Sequence, residues 1–257
     1  MKQRAILRYA YNWISPIVDP LRVARAIRGF GPFFSDYRAY RRLPGAESLR
    51  MSDASPSLHE RGGSHDLDPH YFYINAWAMR RILASHASRH VDFGSQTVLA
   101  AHLSSMIPVA YVDYRPLRVR LTGLQAVSGD LVKLPFRNDA IGSMSCLHVA
   151  EHIGLGRYGD PLDPEGTKKA ARELARVLRP DGNLYFAVPV GRPRVCFNAH
   201  RIHAAETVRE YLNELDLMEY SVISDKGEFH ERAPLSACRD DEYACGMFWF
   251  RKRTAPA

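Results

Sequence analysis

Short apolar runs and amphipathic helical stretches alternate along most of the chain. In residues 70–85 the apolar side chains fall at i, i+3, i+4 and i+8, which predicts a helix that buries Ile74, Trp77, Ala78 and Ile82. From residue 90, apolar runs predict strands at 90–95, 109–114, 124–130, 140–147 and 183–190, with a helix at 97–106. This alternation predicts an α/β domain with a mostly parallel sheet and helices on both faces.

The clearest helical pattern covers residues 163–182. Asp163 is expected to cap this helix and Pro164 to occupy its first turn, and the helix is expected to end at Pro180, Asp181 and Gly182. Its apolar stripe consists of Ala170, Leu174, Val177 and Leu178. Another helix is predicted at 204–216. Two closing strands, at 218–225 and 244–252, have no long helix between them and therefore predict an antiparallel edge.

Residues 44–69 are rich in Pro, Gly, Ser and Asp and lack periodicity, which predicts a linker or loop. This linker separates an N-terminal arm, residues 1–43, from an α/β domain over residues 70–257. Residues 1–50 hold ten Lys or Arg against three acidic residues, so this segment accounts for the whole net charge of +7. The arm is also rich in aromatic residues. We expect it to form a basic helical extension that packs on its own domain or on a partner subunit, or that contacts an anionic membrane surface; nucleic acid is the least favoured partner.

No apolar run approaches the ~20 residues that span a bilayer, and the first residues lack the pattern of a secretory signal. Cys146, Cys196, Cys238 and Cys245 form no C-x-x-C pair, which is typical of reduced thiols. A cytoplasmic protein is therefore expected, with peripheral contact to the inner face of a membrane through the arm as a further hypothesis.

Polar residues follow several of the predicted strands at the point where each strand ends. Asp92, Gly94 and Ser95 follow the first strand, Asp113 the second and Asp130 the third. Because an open parallel sheet binds ligands at the carboxyl ends of its strands, these residues are expected to meet around one ligand. Asp113 follows Gly94 by 19 positions in the sequence. This separation is typical of an acid that binds ribose hydroxyls, which indicates an adenosyl-type cofactor.

The stretches "VDFGS", "VDYRP", "GDLVKLPFRNDAIGSMSCLHVAEHI" and "ELARVLRPDGNLYFAVPV" resemble the class I S-adenosylmethionine-dependent methyltransferases. The phrases "EHIGLGRYGDPLDPEG" and "FNAHRI" are similar to the family known as domain of unknown function 268. This resemblance implies a Rossmann-like, doubly wound sheet. It places Gly94 and Ser95 beside the methionine portion of S-adenosylmethionine, and Asp92 in the same cofactor-binding loop. It also places Asp113 on the ribose, and Asp130 with Leu131 beside the adenine.

The first loop, "DFGSQT", has one glycine where these methyltransferases usually have two or three. If the side chains of Gln96 and Thr97 fill the cofactor space, the protein would be a non-catalytic binding module in glycan assembly. A nicotinamide dehydrogenase is less favoured, because the G-x-G-x-x-G fingerprint is missing after the first strand.

Residues 148–152 read H-x-x-E-H, an order that can hold zinc on a helix. Gly154 and Gly156 follow almost at once, so a zinc hydrolase that uses His148, Glu151 and His152 ranks third, and no metal is expected. The same residues fit a rim loop in which Glu151 and His152 orient the turn and Arg157, Tyr158 and Asp160 face a substrate. His148 is the candidate general base and Asp160 the reserve.

A second polar cluster follows the predicted strand at 183–190, and it comprises Arg192, Arg194, Asn198, His200 and Arg201. Arginine forks suit phosphate or carboxylate, so this segment is either an anion site or a solvated basic loop. Together these patterns predict a methyltransferase for a hydroxyl of an anionic carbohydrate, such as a sugar nucleotide or a lipid-linked sugar, in surface-glycan biosynthesis.

Overall fold

A computed structural model describes residues 11, 13–15, 17–58, 67–115 and 117–254 of the protein. Contacts divide the chain into two units, Met1–Leu67 and Asp68–Ala257. Residues 1–10, 12 and 16 of the predicted arm and residues 59–66 of the predicted linker lie outside the described residues.

The predicted N-terminal helix is present in the first unit as α1, Pro20–Tyr40. Asp19 begins it by accepting hydrogen bonds from the backbone N–H groups of Leu21 and Arg22, and Pro20 stands at the first helical position. None of its residues is buried. No helix in the described part of the chain is long and apolar enough to cross a bilayer. Membrane contact through this helix stays a prediction.

The second unit is built on an eight-stranded sheet in the order β3-β2-β1-β4-β5-β10-β8-β9. The strands are β1 His90–Phe93, β2 Val109–Asp113, β3 Leu124–Ser128, β4 Ile141–Leu147, β5 Leu178–Val190, β8 Leu215–Ile223, β9 Phe229–His230 and β10 Ala244–Lys252. Strands β1 to β5 are parallel, whereas β10 runs antiparallel to both β5 and β8. The predicted parallel sheet with an antiparallel edge is confirmed.

Helices cover both faces of this sheet, as a mostly parallel sheet requires. On one face lie α2, Pro69–Ala84, and α3, Thr97–Ser104, and the predicted stripe of Ile74, Trp77, Ala78 and Ile82 is buried there. On the other face lie α4, Gly166–Val177, and α5, Ala205–Tyr211. A three-residue 3-10 turn, Ala150–His152, follows β4.

The helix predicted over 163–182 is shorter than expected at both ends. Asp163 accepts a hydrogen bond from the Glu165 N–H at 2.9 Å and makes a turn, so α4 begins only at Gly166. At the other end α4 stops at Val177, and the stretch from Leu178 is already part of β5. Asp181 has a φ of 59°, and the pairing of β4 with β5 shifts register beside it. The predicted stop residues therefore form a bulge inside a strand.

Two smaller differences follow from turn geometry. The helix predicted at 204–216 ends at Tyr211, because Leu215 already pairs with Lys252 in the sheet. The segment after β5 forms a hairpin that was not predicted, β6 Arg194–Cys196 with β7 His200–Ile202.

A chain of buried polar side chains joins β1 to β4 inside the sheet. His90 contacts the Ser143 hydroxyl through Nδ1 and the Ser145 hydroxyl through Nε2, each at 2.8 Å. The Ser145 hydroxyl in turn donates to Asp92. Burial lowers the pKa of His90 to about 3 and raises the pKa of Asp92 to about 6. His90 is therefore neutral at pH 7, and Asp92 ionises at some cost to stability.

Asp92→Asn should relieve this cost, because an amide can keep both hydrogen bonds if Ser145 and His90 reverse their donor direction. Since the folded pKa of Asp92 lies above its ordinary value of 3.8, the wild-type contribution to stability is complete below pH 3.8 and is lost as pH rises through 6. The stability of the variant relative to wild type should therefore grow by about 3 kcal/mol across this range. Denaturant unfolding at a series of pH values measures this difference, and a difference that does not vary with pH would contradict the assignment.

Candidate functional site

A cavity of about 320 Å³ opens at the carboxyl ends of β1, β2 and β4. Strand β1 has β2 on one side and β4 on the other, so the cavity lies where the strand order reverses. Ligands of open α/β sheets bind in this crevice. Eight of the predicted site residues line it: Gly94, Asp113, Asp130, Leu131, His148, His152, Tyr158 and Asp160.

The loop after β1 meets the cavity through Gly94 alone. Gly94 has a φ of 66°, and a Cβ atom there would lie 3.2 Å from Val149 and 3.4 Å from the Asp113 carboxylate. The other two predicted cofactor contacts in this loop point into the protein. Asp92 accepts a hydrogen bond from the Ser95 N–H, and the Ser95 hydroxyl accepts one from the Leu147 N–H at 3.1 Å.

Gln96 and Thr97 do not line the cavity. The Gln96 side chain accepts a hydrogen bond from the Asn75 amide on α2 at 2.7 Å, and Thr97 is exposed at the first position of α3. The two side chains that could have filled a cofactor loop are therefore directed elsewhere.

Two carboxylates follow β2 and β3 on the cavity wall. Asp113 accepts a hydrogen bond from the Arg115 N–H at 2.7 Å through Oδ1, and Asp130 accepts one from the Val132 N–H at 3.0 Å through Oδ1. In each carboxylate, Oδ2 accepts no hydrogen bond from the described residues. Leu131 belongs to the apolar part of the wall, which also includes Phe93, Val112, Leu134, Val149 and Ile153.

His148 has a φ of 57° directly after β4, a backbone conformation that is uncommon outside glycine and that marks functional sites. Its Nδ1 lies 2.9 Å from Glu151 and its Nε2 lies 3.3 Å from the thiol of Cys245. Burial alone would lower the pKa of His148, but the contacts with Cys245 and Glu151 outweigh burial and raise it well above the ordinary value. Both ring nitrogens are therefore engaged.

Glu151 is fully buried in the 3-10 turn after β4. Its Oε1 lies 2.9 Å from His148 Nδ1 and 3.7 Å from His152 Nε2. Burial raises the pKa of Glu151, but the two imidazoles more than offset it and the pKa is lowered. The two histidines of the H-x-x-E-H order thus contact the Glu151 carboxylate within a turn. They do not form the helical zinc site that the sequence order allows.

His152 lies on the cavity wall, and its pKa is shifted in the opposite direction from that of His148. Its Nδ1 lies 2.6 Å from the backbone carbonyl of Ala199, to which Arg157 also donates at 3.0 Å. Burial lowers the pKa of His152. A neutral imidazole that donates through Nδ1 leaves Nε2 as a proton acceptor.

Asp160 stabilises the rim loop after β4, and two guanidinium groups contact the Tyr158 ring of this loop. The Asp160 carboxylate accepts hydrogen bonds from the N–H groups of Gly154 at 2.7 Å and Tyr158 at 3.2 Å. Although burial opposes it, these bonds lower the pKa of Asp160. The guanidinium groups of Arg115 and Arg157 lie 4.6 Å and 5.3 Å from the centre of the Tyr158 ring.

The second predicted cluster is mostly engaged within the protein and does not line the cavity. Arg192 and Arg194 pair with Glu242, and the buried Arg201 donates to the backbone carbonyls of Ile153 and Asp163. Two further members of the cluster lie apart: Asn198 is exposed between β6 and β7, and the His200 ring lies 4.8 Å from the Tyr243 ring at an angle of 41°.

Several residues near the site were not predicted from the sequence. Arg115 and Gly129 line the cavity, and each lies within two residues of a predicted acid, Asp113 or Asp130. A search of the positions next to each strand-end acid would therefore have identified them. His70, Tyr243 and Cys245 lie around His148 from distant parts of the chain, and no local pattern marks them.

Solved structures share this fold at low sequence identity. The N-methyltransferase NodS from Bradyrhizobium japonicum WM9, in complex with S-adenosyl-L-homocysteine, is 17% identical with a TM-score of 0.54, over 74% of this chain and 90% of that chain. The cyclase SpnF is 16% identical with a TM-score of 0.53, over 71% and 81%. The candidate methyltransferase in complex with the Haloferax volcanii Trm112 methyltransferase activator is 16% identical with a TM-score of 0.52, over 73% and 92%.

The fold is therefore that of the class I methyltransferases. Residues 136–226 match the family model described as "Caenorhabditis protein of unknown function, DUF268". Both parts of the resemblance drawn from the sequence are confirmed. No curated protein sequence matches the chain significantly.

Proposed function

We propose that this protein is an S-adenosylmethionine-dependent methyltransferase that acts on a hydroxyl of a small anionic acceptor. The observation that carries the proposal is the cavity at the reversal of strand order, which has the Asp113 carboxylate on its wall and Gly94 at its base. The positions of Gln96 and Thr97 outside the cavity favour a cofactor site over the non-catalytic binding module.

The described residues fit an adenosyl cofactor in three respects. Gly94 allows a close approach that a Cβ atom would block. Asp113 has a carboxylate oxygen available for the ribose hydroxyls, and Asp130 with Leu131 supplies a polar and an apolar contact for the adenine. The S-adenosyl-L-homocysteine complex of NodS has the same fold and is consistent with this assignment.

When bound, the cofactor would supply a methyl group already activated by its sulfonium charge. The protein then has two tasks, which are to align the acceptor and to take its hydroxyl proton. His152 suits the second task better than His148, because its Nε2 makes no hydrogen bond among the described residues and lies 3.7 Å from the Glu151 carboxylate, which would stabilise the imidazolium, whereas both nitrogens of His148 are hydrogen-bonded. Asp160 is the weaker candidate, since its lowered pKa makes it a poor base.

An anionic carbohydrate is the proposed acceptor class. Arg115 lines the cavity, Arg157 contacts the cavity-lining Tyr158 ring, and both guanidinium groups would pair with a carboxylate or phosphate. They replace Arg192 and Arg194 in this role, because those two are paired with Glu242. Methyl transfer to uronic acids compared with the matching neutral sugars would test this substrate class.

Asp113→Ala should weaken binding of S-adenosylmethionine by about 100-fold, because two hydrogen bonds to a charged group contribute roughly 1.5 kcal/mol each. Isothermal titration calorimetry with S-adenosylmethionine and S-adenosylhomocysteine measures the affinity. Asp216→Ala, which removes an exposed carboxylate on β8, is the matched control and should bind like wild type. Wild-type protein that binds neither ligand at millimolar concentration would favour the binding-module hypothesis instead.

A further inference from the structure

A cluster of metal-ligating side chains lies beside the cavity, formed by His70, His148 and Cys245. One ligand atom from each residue lies within 4.8 Å of the other two, and His148 Nε2 is 3.3 Å from the sulfur of Cys245. The three residues come from the first turn of α2, the turn after β4 and the start of β10. The strand and helix packing of the second unit therefore brings them together.

We propose that His70, His148 and Cys245 bind one zinc-type divalent metal ion. Two imidazoles and a thiolate form the ligand set that zinc prefers, and three protein ligands leave a fourth position open. Tetrahedral zinc, with bonds of about 2.0–2.3 Å, sets its ligand atoms roughly 3.3–3.6 Å apart. His148 Nε2 and the Cys245 sulfur already have this separation. A small shift of the His70 ring would bring its nitrogen to a similar distance from both.

The surroundings of His148 match those of a metal ligand. Histidine ligands usually donate their second ring N–H to a carboxylate, which directs the other nitrogen to the metal. Glu151 occupies this position, 2.9 Å from His148 Nδ1. His70 and Tyr71 contact the His148 ring from α2, and Tyr243 stacks on His70. The imidazoles are thus oriented before any ion binds.

Glu151 supplies an independent observation. It is fully buried, and its Oε2 has no hydrogen-bond partner among the described residues. In the metal-free protein the contacts with His148 and His152 compensate this carboxylate, and a bound cation would take over that role. A divalent ion bound by one thiolate and two neutral imidazoles carries a net charge of +1, which the Glu151 carboxylate balances.

A thiol nucleophile activated by His148 and Glu151 is the competing explanation of the same distances. Cys245 has 0% exposure, so the carbonyl group of a substrate cannot reach its sulfur. A metal ion needs far less room, and one member of the cluster, His148, lines the cavity. The structure therefore favours the metal site, and the proposal does not depend on S-adenosylmethionine binding.

Metal content is measured on tag-free protein after chelation and reconstitution with Zn²⁺ or Co²⁺. We expect one ion per chain and, with Co²⁺, a thiolate-to-metal charge-transfer band. Cys245→Ser should abolish the band, and His70→Ala should weaken binding at least tenfold. Glu151→Gln should weaken it by about 10–100-fold through His148. The controls Cys196→Ser and His102→Ala, which alter residues outside the cluster, should match wild type.

If Cys245→Ser fails to fold, the half-buried His70→Ala variant carries the test, with circular dichroism as the check on folding. A reconstituted wild-type protein with less than about 0.1 ion per chain would overturn the proposal, as would an unchanged cobalt spectrum in either ligand variant. Calorimetry with S-adenosylmethionine on the metal-free protein tests the proposed function separately.

Discussion

Replacement of Glu219 by alanine is expected to lower the free energy of unfolding by about 3 kcal/mol. Glu219 lies on β8 with a side chain that is 6% exposed. It accepts hydrogen bonds from the Trp77 indole at 3.0 Å, from the Arg81 guanidinium and from the Ser221 hydroxyl at 2.8 Å. These bonds attach α2 to the antiparallel part of the sheet, so their loss leaves a buried guanidinium and an indole N–H with fewer partners.

The expected loss lies near the lower end of the range for buried ion pairs, because Arg81 keeps a second partner in Glu231 at 2.8 Å. Denaturant unfolding followed by circular dichroism measures it. Asp216→Ala removes the exposed ion pair with Arg253 and is the matched control, for which a change below about 1 kcal/mol is expected. A loss for Glu219→Ala no larger than in this control would show that the network contributes little to holding α2.

Gly94→Ala is expected to weaken S-adenosylmethionine binding by at least about tenfold, which corresponds to 1.4 kcal/mol. An alanine at a φ of 66° costs about 1–2 kcal/mol in backbone strain. Its Cβ atom would also lie 3.2 Å from Val149 and 3.4 Å from the Asp113 carboxylate. The separation from Val149 is tighter than ordinary van der Waals contact, so its relief opens the turn beside Asp113 and removes the close approach at Gly94.

Gly227→Ala separates strain from crowding. Gly227 has a similar φ of 78°, but a Cβ atom there would make only ordinary contacts with Pro69, away from the cavity. Both variants should lose comparable stability in thermal unfolding, whereas only Gly94→Ala should lose affinity in calorimetry. Equal affinities in the two variants would mean that the cofactor does not approach Gly94, and they would argue against the proposed site.

The fold by itself does not define the reaction, because one scaffold supports many chemistries. NodS is described as an N-methyltransferase and SpnF as a cyclase, yet both share this sheet with the protein at similar TM-scores. The assignment of methyl transfer therefore depends on the cavity residues, above all Gly94 and Asp113, and the binding experiments on these two residues decide it.

Local patterns were sufficient to predict the parallel strands of the sheet. The apolar runs that predicted β1, β2 and β4 depend only on neighbouring residues, because strands buried on both faces need continuous apolar side chains. The strand-end positions of Gly94, Asp113 and Asp130 followed in the same way, since parallel strands present their carboxyl ends at one edge. These three positions all lie on the cavity wall.

The sequence by itself thus determined the sheet, its closing antiparallel strands and the edge that carries the cavity. Only the tertiary structure decided that Asp92 points inward to Ser145, that Arg201 binds loop carbonyls, and that His70 and Cys245 meet at His148. The physical reason is that side-chain direction and partners depend on packing between distant segments. His148 is 78 residues from His70 and 97 from Cys245, so no periodicity or spacing in the sequence links them.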